Sequence, residues 1–140
     1  MPGITNLDTL LSSMEPELQN EYYIFCTFTN TDIAAILHLE PISCFYEKEG
    51  LTLIIRKEMA DKNKIEYLSV FRLISLTIHS SLDAVGLTAA ISQKLADTGI
   101  SANVVAAYFH DHIFVPKDKA HLAIESLHEL QQESLRKVNA

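Results

Sequence analysis

The stretch that decides the fold is DAVGLTAAISQKLADTGI, residues 83–100. Within it, Leu87, Ile91 and Leu95 lie one helical turn apart, so that their side chains would form one apolar face. Gly99 stands where a helix commonly ends, because glycine adopts the left-handed conformation of a C-terminal cap without strain. The spacing therefore predicts an amphipathic helix that packs one face on a core and ends near Gly99.

Strand-like runs flank this helix on both sides. Residues 68–79 precede it with apolar side chains at alternating positions, and residues 100–108 and 112–115 follow it as two apolar runs. The His-Asp pair at residues 110–111 favours a turn between these two runs. A second amphipathic helix is predicted in residues 120–130, where apolar side chains again recur at helical spacing. The C-terminal half is therefore predicted to follow the order β-α-β-β-α.

The N-terminal half shows the same order less clearly. Three of its runs favour strands because they are rich in aromatic and other strand-forming side chains. They are residues 21–28, 42–46 and 51–56. A short helical segment is predicted between the first two runs, where Asp32 can act as a cap, and another helix is predicted at residues 7–14. The order β-α-β-β therefore occurs twice along the chain.

A β-α-β-β order in each half is typical of the ferredoxin-like unit, β-α-β-β-α-β. We therefore expect an α+β fold with two such units in tandem, the first in residues 1–67 and the second in residues 68–140. The run at residues 68–79 would have to close the first unit and also open the second. One strand is therefore expected to be missing, shared between the units or supplied by a partner chain.

Composition limits the function classes that need consideration. The chain has 140 residues, of which 48% are hydrophobic and 21% are charged, and this balance excludes a disordered chain. A net charge of −7 argues against binding to nucleic acid or to an anionic membrane surface. No apolar run reaches the length of about 18 residues that spans a bilayer, and the acidic N-terminus does not resemble a signal peptide. Cys26 and Cys44 are expected to be reduced core thiols of a cytoplasmic protein.

A family resemblance rests on the joint spacing of several residues, most of them in the C-terminal half. They are Asp83-Ala84-Val85-Gly86-Leu87, Leu95, Gly99-Ile100 and the run His-Asp-His-Ile-Phe-Val-Pro at residues 110–116. Together these residues resemble the ACT domain, and in particular the small bacterial proteins that consist of two ACT-like units. The resemblance is good over residues 68–134 and weaker in the N-terminal half.

The resemblance implies a ferredoxin-like fold with antiparallel sheets and helices on one face. It also implies a non-catalytic regulatory or sensor protein, without a cofactor, that binds a small ligand, most often an amino acid, between units. An effector protein that responds to the ligand is then an expected partner. A homodimer is also expected, because edge strands and an apolar sheet face would otherwise stay exposed. The first unit departs from the family pattern, since residues 29–33 have no counterpart of Gly86.

The candidate ligand site is the loop before the helix that begins near Leu87. A helix N-terminus presents unpaired N–H groups and a partial positive charge, which suit a carboxylate. Gly86 lets a ligand approach the backbone, while Asp83 and the carbonyl of Asn103 could accept hydrogen bonds from an ammonium group. The predicted ligand-binding residues are Ser80, Ser81, Asp83, Val85, Gly86, Leu87, Asn103 and Val104. In the alternative interpretation, Ser81 and Asp83 only cap the helix and Gly86 only allows close packing.

Two other function classes stay open at this point. In the first, the chain is a protein-interaction module with a vestigial ligand site. In the second, it binds a transition metal through His110 and His112, although the spacing reveals no further ligands. The sequence contains no nucleophile elbow, phosphate-binding loop or His-Glu-x-x-His motif, so no catalytic residue is predicted.

Overall fold

The computed structural model describes residues 6–140 and has the predicted α+β fold of antiparallel strands and helices. Its contacts divide the chain into two compact units. Unit 1 comprises residues 6–19 and 72–140, and unit 2 comprises Asn20–Phe71. The chain therefore leaves unit 1 after a short N-terminal segment, builds unit 2 and then returns to unit 1.

Helices and strands alternate along the chain. The helices are α1 (Leu7–Ser12), α2 (Lys57–Lys62), α3 (Leu87–Asp97) and α4 (Ala120–Val138), with 3₁₀ turns at Ile33–Ala35, Leu37–Leu39 and Lys117–Lys119. The strands are β1 (Pro16–Phe28), β2 (Ser43–Tyr46), β3 (Leu51–Arg56), β4 (Phe71–Leu76), β5 (Asn103–Ala106) and β6 (Asp111–Pro116). None of the helices in this part of the chain combines the length and apolar character needed to cross a membrane.

Unit 1 obtains its full sheet from two distant parts of the chain. β4 lies beside β6, which pairs with β5 in antiparallel register. On the other side of β4 lie the first residues of β1, where Arg72 donates a hydrogen bond to the carbonyl oxygen of Gln19 (2.7 Å). Thr77 likewise donates to the carbonyl oxygen of Glu15 (3.0 Å). The strand that runs through both units is therefore β1, and residues 68–79 contribute only β4.

The core of unit 1 lies between its sheet and its helices. Leu87, Ile91 and Leu95 of α3 are buried, as their helical spacing predicted. They belong to one cluster with Ile74 of β4 and Ile113 of β6. Each of these side chains contributes roughly 1.5–3 kcal/mol when it leaves water. The helical spacing and the strand alternation thus predict this core together.

The N-terminal segment is attached to the C-terminal helix. Asn6 caps α1 by accepting a hydrogen bond from the N–H of Thr9 (3.0 Å). At the other end of α1, buried Gln131 of α4 donates from Nε2 to the carbonyl oxygen of Ser12 (3.1 Å) and to Oε1 of Glu15 (2.7 Å). Glu15 has a left-handed φ of 42° where the chain turns into β1. One amide therefore fixes both the end of α1 and the turn after it.

Unit 2 is built on three antiparallel strands in the order β2-β3-β1. Cys26 of β1 and Cys44 of β2 both lie opposite Leu53 of β3, one on either side of that strand. Two strand spacings put their α-carbons about 10 Å apart, beyond the ~7 Å at which a disulfide can form. Both thiols are free, and burial raises the pKa of the Cys26 thiol.

Three strand boundaries differ from the sequence-based expectation. β1 begins at Pro16 instead of residue 21, because the backbone before the aromatic run finds a neighbour in β4. β4 and β5 are shorter than the apolar runs that contain them. Leu68 is fully exposed outside β4, and Ile100 reaches the core from the loop before β5. Hydrophobicity alone therefore overestimates the length of these two strands.

Candidate functional site

The loop between β4 and α3 is held by hydrogen bonds at its start. Ser80 is buried and donates from Oγ to Oδ2 of Asp111 on β6 (3.1 Å). Ser81 accepts at Oγ from the N–H of Asp83 (3.1 Å) and at its carbonyl oxygen from the N–H of Ala84 (3.0 Å). Ser80 therefore attaches the loop to β6, whereas Ser81 closes a turn within the loop.

α3 begins without a side-chain cap. Its N-cap is Gly86, which has a φ of 95° and provides no side-chain hydrogen bond. The expectation that Ser81 or Asp83 caps this helix is therefore wrong, because the hydroxyl of Ser81 turns back into the loop. Residues with a Cβ rarely adopt the conformation of Gly86, so glycine is needed where the chain enters the helix. The N–H groups of the first turn remain for water or for an anionic ligand.

The predicted site residues after Ser81 differ in what they offer. Asp83 is exposed, and its carboxylate bonds to no other residue of the described chain. Val85 is 83% exposed and stands directly before the helix cap. Leu87 is buried in the core, so only its backbone can contact a ligand. The loop therefore presents an exposed carboxylate and an exposed apolar side chain beside the free N–H donors.

Asn103 and Val104 lie at the far end of β5 from this loop. Asn103 pairs with Phe114, three residues along β6 from Asp111, where the loop reaches that strand. Three residues of strand correspond to about 10 Å. Within one chain, the structure therefore brings six of the eight predicted residues together in the loop and leaves these two apart.

Asp111 also belongs to this region, although the sequence pattern placed it in a turn and did not predict it as a site residue. It is only 8% exposed and opens β6 two positions before Ile113 and four before Val115. Its carboxylate accepts the hydrogen bond from Ser80 and forms no ion pair within the described residues. Strand alternation could have predicted this burial. Positions two apart face the same side of a sheet, and the side chains of Ile113 and Val115 are both buried.

Two histidines flank this carboxylate. Nδ1 of His112 lies 2.8 Å from Oγ of Ser75, and Nδ1 of His110 lies 3.4 Å from the carbonyl oxygen of Ile78. Burial lowers the pKa of His112, the neighbouring His110 lowers it further, and Asp111 opposes both effects. In the described part of the chain, no three His, Cys, Asp or Glu residues are grouped so as to hold a metal ion. The geometry therefore gives no support to the metal-binding alternative.

Two exposed aromatic side chains lie in the turn that joins β5 to β6. Tyr108 is 69% exposed, Phe109 is 59% exposed, and their ring centroids are 4.9 Å apart. Phe109 also packs against His79, with 5.5 Å between ring centroids. His79 directly precedes Ser80, so this turn places an apolar surface next to the loop that leads to α3.

The corresponding loop of unit 2 caps its own helical segment. Asp32 accepts at Oδ1 from the N–H of Ala34 (3.0 Å), at the start of the 3₁₀ turn Ile33–Ala35. That turn is three residues long, against eleven residues in α3. In this loop, unit 2 therefore has a capped 3₁₀ turn where unit 1 has the uncapped start of a regular helix.

Comparisons with known proteins agree with this architecture. Two family models described as "ACT domain" match the chain, one over residues 2–72 and the other over residues 69–129. A Vibrio cholerae protein of unknown function, described as a "possible transport protein", is 51% identical over 89% of this chain and 95% of its own, with a TM-score of 0.82. No curated protein matches the chain.

More distant structures share the fold alone. The regulatory subunit of aspartate kinase from Thermus flavus has a TM-score of 0.61 at 10% identity, over 82% of this chain and 95% of that one. The ligand-free regulatory subunit from Thermus thermophilus has a TM-score of 0.60 at 13% identity, over 84% of this chain and 97% of that one. At these identities the likeness concerns the arrangement of helices and strands.

Proposed function

The chain belongs to the ACT domain family, and from this premise we propose that it is a non-catalytic regulatory protein that binds an amino acid. We assign its two ACT units to residues 1–67 and 68–140. The observation that carries the proposal is the free start of α3, where Gly86 stands in place of a side-chain cap. An amino acid needs an anion site for its carboxylate, and uncapped N–H groups at the positive end of a helix dipole provide one.

The proposed site is the loop from Ser80 to Leu87. The ligand carboxylate accepts hydrogen bonds from the first turn of α3. Val85 is exposed directly before this point, so it offers an apolar contact to the ligand side chain. Ser80 and Ser81 hold the loop in shape through their hydrogen bonds, and Asp83 contributes negative charge.

A screen by thermal unfolding tests this proposal. The proteinogenic L-amino acids are added singly to the purified chain, and the melting temperature is recorded. A ligand at a hundred times its Kd adds about 2.7 kcal/mol, which raises the melting temperature by roughly 5–10 °C in a chain of this size. Selective stabilisation by one or a few amino acids is the expected result, and a flat screen would instead favour the interaction module with a vestigial site.

A charge placed beside the free helix start locates the binding site. Val85→Asp should abolish the ligand-induced shift, because the new carboxylate competes for the N–H groups of α3 and repels an anion. Leu68→Asp is the matched control, since Leu68 is also exposed and lies outside the loop. The site assignment fails if Val85→Asp retains the full shift.

We also propose a homodimer in which β5 completes the site of the second copy. β5 is the outer strand of unit 1, and an outer strand leaves a row of backbone hydrogen-bonding groups unpaired. Exposed Tyr108 and Phe109 lie at its end. Asn103 and Val104 are too far from the loop of their own chain to contact the same ligand. A second copy paired at this edge can bring them to the ligand.

Light scattering after gel filtration tests the dimer. Changing both Tyr108 and Phe109 to Glu should give monomers, because it places like charges on a surface that the dimer buries. Leu68→Glu adds a charge at another exposed apolar position and should leave the dimer intact. A wild-type chain that remains monomeric at all concentrations would refute the dimer.

Ligand binding at such an interface acts by a shift of populations. A ligand that contacts both copies stabilises their paired arrangement by its difference in affinity for the paired and unpaired states. We propose that an effector protein binds the paired arrangement. Capture of that protein on immobilised chain should then depend on the amino acid found in the screen, and equal capture by the Val85→Asp variant would contradict this link.

A further inference from the structure

We infer that Asp111 is a ligand-binding residue that accepts the ammonium group of the bound amino acid. This inference rests on the proposed function and adds to it a second charged contact, on β6 instead of on the loop. Asp111 lies where the loop is attached, because Ser80 donates to its Oδ2 at 3.1 Å. Ser80, which this carboxylate contacts, is therefore one of the predicted site residues.

The side chain of Asp111 is nearly buried and has few partners. Asp111 is 8% exposed, and its side chain receives one hydrogen bond from a neutral hydroxyl. No Lys, Arg or His side chain forms an ion pair with it anywhere in the described chain. A carboxylate removed from water is costly unless a cation or several donors compensate it. An ammonium group from outside the chain supplies the cation that residues 6–140 do not provide.

One oxygen of the Asp111 carboxylate stays accessible. Oδ1 of Asp111 has no hydrogen-bond partner among the described residues. At the same time, no described side-chain oxygen or nitrogen is both fully buried and without a partner. Oδ1 must therefore keep some contact with solvent. One carboxylate oxygen is thus fixed by Ser80, and the other is open to a donor that approaches from outside.

An α-amino acid carries its two charged groups close together. Its carboxylate and ammonium groups are separated by a single carbon, so they need an anion site and an acceptor close to each other. The loop between β4 and α3 connects Ser80, which is bonded to Asp111, with the free helix start at Gly86 six residues later. Asp111 also faces the same side of the sheet as Ile113, whose core cluster includes Leu87 at the start of α3, so both sites lie on the helix side of the sheet in unit 1.

The experiment compares Asp111→Asn with the wild-type chain. Asn keeps the size of the side chain and can still accept from Ser80, but it carries no charge. Asp118→Asn is the matched control, because Asp118 is exposed and the variant has the same net charge. The probes are the proteinogenic L-amino acids, the corresponding carboxylic acids without the amino group, and the simple amines ethanolamine and putrescine.

Loss of the ammonium contact gives a specific pattern. Asp111→Asn should weaken the binding of the amino acid that stabilises the wild type by about tenfold or more. The binding of the matching carboxylic acid should be unaffected. Asp118→Asn should behave as the wild type with both. Without any probe, Asp111→Asn should be at least as stable as the wild type, because it removes a charge that forms no ion pair with any described residue.

Each other result is equally decisive. If the amino acid stabilises Asp111→Asn as well as the wild type, the proposed function stands and this inference is overturned. If an amine without a carboxylate stabilises the wild type but not Asp111→Asn, the inference stands and the amino-acid proposal fails. If no amine or amino acid acts on the wild type, both fail. A ligand-free Asp111→Asn protein that is unfolded would make Asp111 a structural residue and overturn the inference.

Discussion

The hydroxyl oxygen of Ser75 and Nδ1 of His112 lie 2.8 Å apart and join β4 to β6 within unit 1. Burial favours the neutral imidazole and lowers the pKa of His112, the nearby His110 lowers it further, and Asp111 opposes them. An unfolded chain has the ordinary histidine pKa of about 6.5, so it binds the proton more readily than the folded chain. The free energy of unfolding should therefore fall as the pH drops below about 6.5.

Urea unfolding followed by circular dichroism between about pH 7.5 and pH 5 measures this effect. His112→Gln offers Ser75 a hydrogen-bonding partner but does not titrate, so its stability should depend less on pH than that of the wild type. His128→Gln, on the exposed face of α4, should keep the wild-type dependence. Identical slopes for His112→Gln and the wild type would contradict the assignment.

Gly86 should tolerate substitution less well than Gly99. Ala at Gly86 must adopt a φ of 95°, and its Cβ would lie 3.2 Å from Cδ2 of Leu7. Ala at Gly99 must adopt a φ of 75°, but its Cβ would meet nothing within 4 Å. Both variants lose the backbone freedom of glycine, which costs about 1–2 kcal/mol. Gly86→Ala should lose more than Gly99→Ala in urea unfolding, and adding Leu7→Ala should reduce the difference between their effects.

The two helix starts should respond differently to loss of an aspartate. Asp32 caps the 3₁₀ turn of unit 2 through the N–H of Ala34, so Asp32→Ala should cost about 0.5–2 kcal/mol of unfolding free energy. Asp83 stands near the start of α3 without capping it, so Asp83→Ala should change the stability of the ligand-free chain by less than about 0.5 kcal/mol. A large loss with Asp83→Ala would restore the capping interpretation of this residue.

Gln131 should be far more sensitive than its neighbour Gln132. Gln131 is buried and donates to the carbonyl oxygen of Ser12 and to Glu15, whereas Gln132 is exposed on the same helix. Gln131→Met keeps much of the volume but leaves two acceptors without their donor, which should cost about 1–3 kcal/mol. Gln132→Met should cost less than about 0.5 kcal/mol. Similar losses in both variants would show that this amide contributes nothing specific.

Much of unit 1 follows from local patterns. The spacing of Leu87, Ile91 and Leu95 predicts the buried face of α3, and Asn6 is recognisable as the cap of α1. The resemblance to the ACT domain rests on residues around Gly86, and the family models confirm two ACT domains in tandem. These features depend on residues that are close in sequence, so one amino-acid sequence is enough to predict them.

Other features depend on partners that are distant in sequence. Residues 16–19 become strand because β4 returns beside them. In the sequence, Asp111 resembles a turn residue. Only the structure shows that Asp111 is buried and accepts a hydrogen bond from Ser80. The uncapped start of α3 was likewise hidden, because the hydroxyl of Ser81 bonds within the loop instead of to the helix.

The hydrogen bond between Gln131 and Ser12 spans 119 positions of the chain, so it can form only after nearly all of the chain has been synthesised. A ribosome releases all of residues 20–71 before it synthesises α4, so the contacts of unit 2 can form while α1 still lacks its neighbour. Closing a long loop is slow because its entropy cost precedes the contacts that reward it. Docking of α4 on α1 is therefore a late step, and nascent chains interrupted before α4 would contain unit 2 but not unit 1.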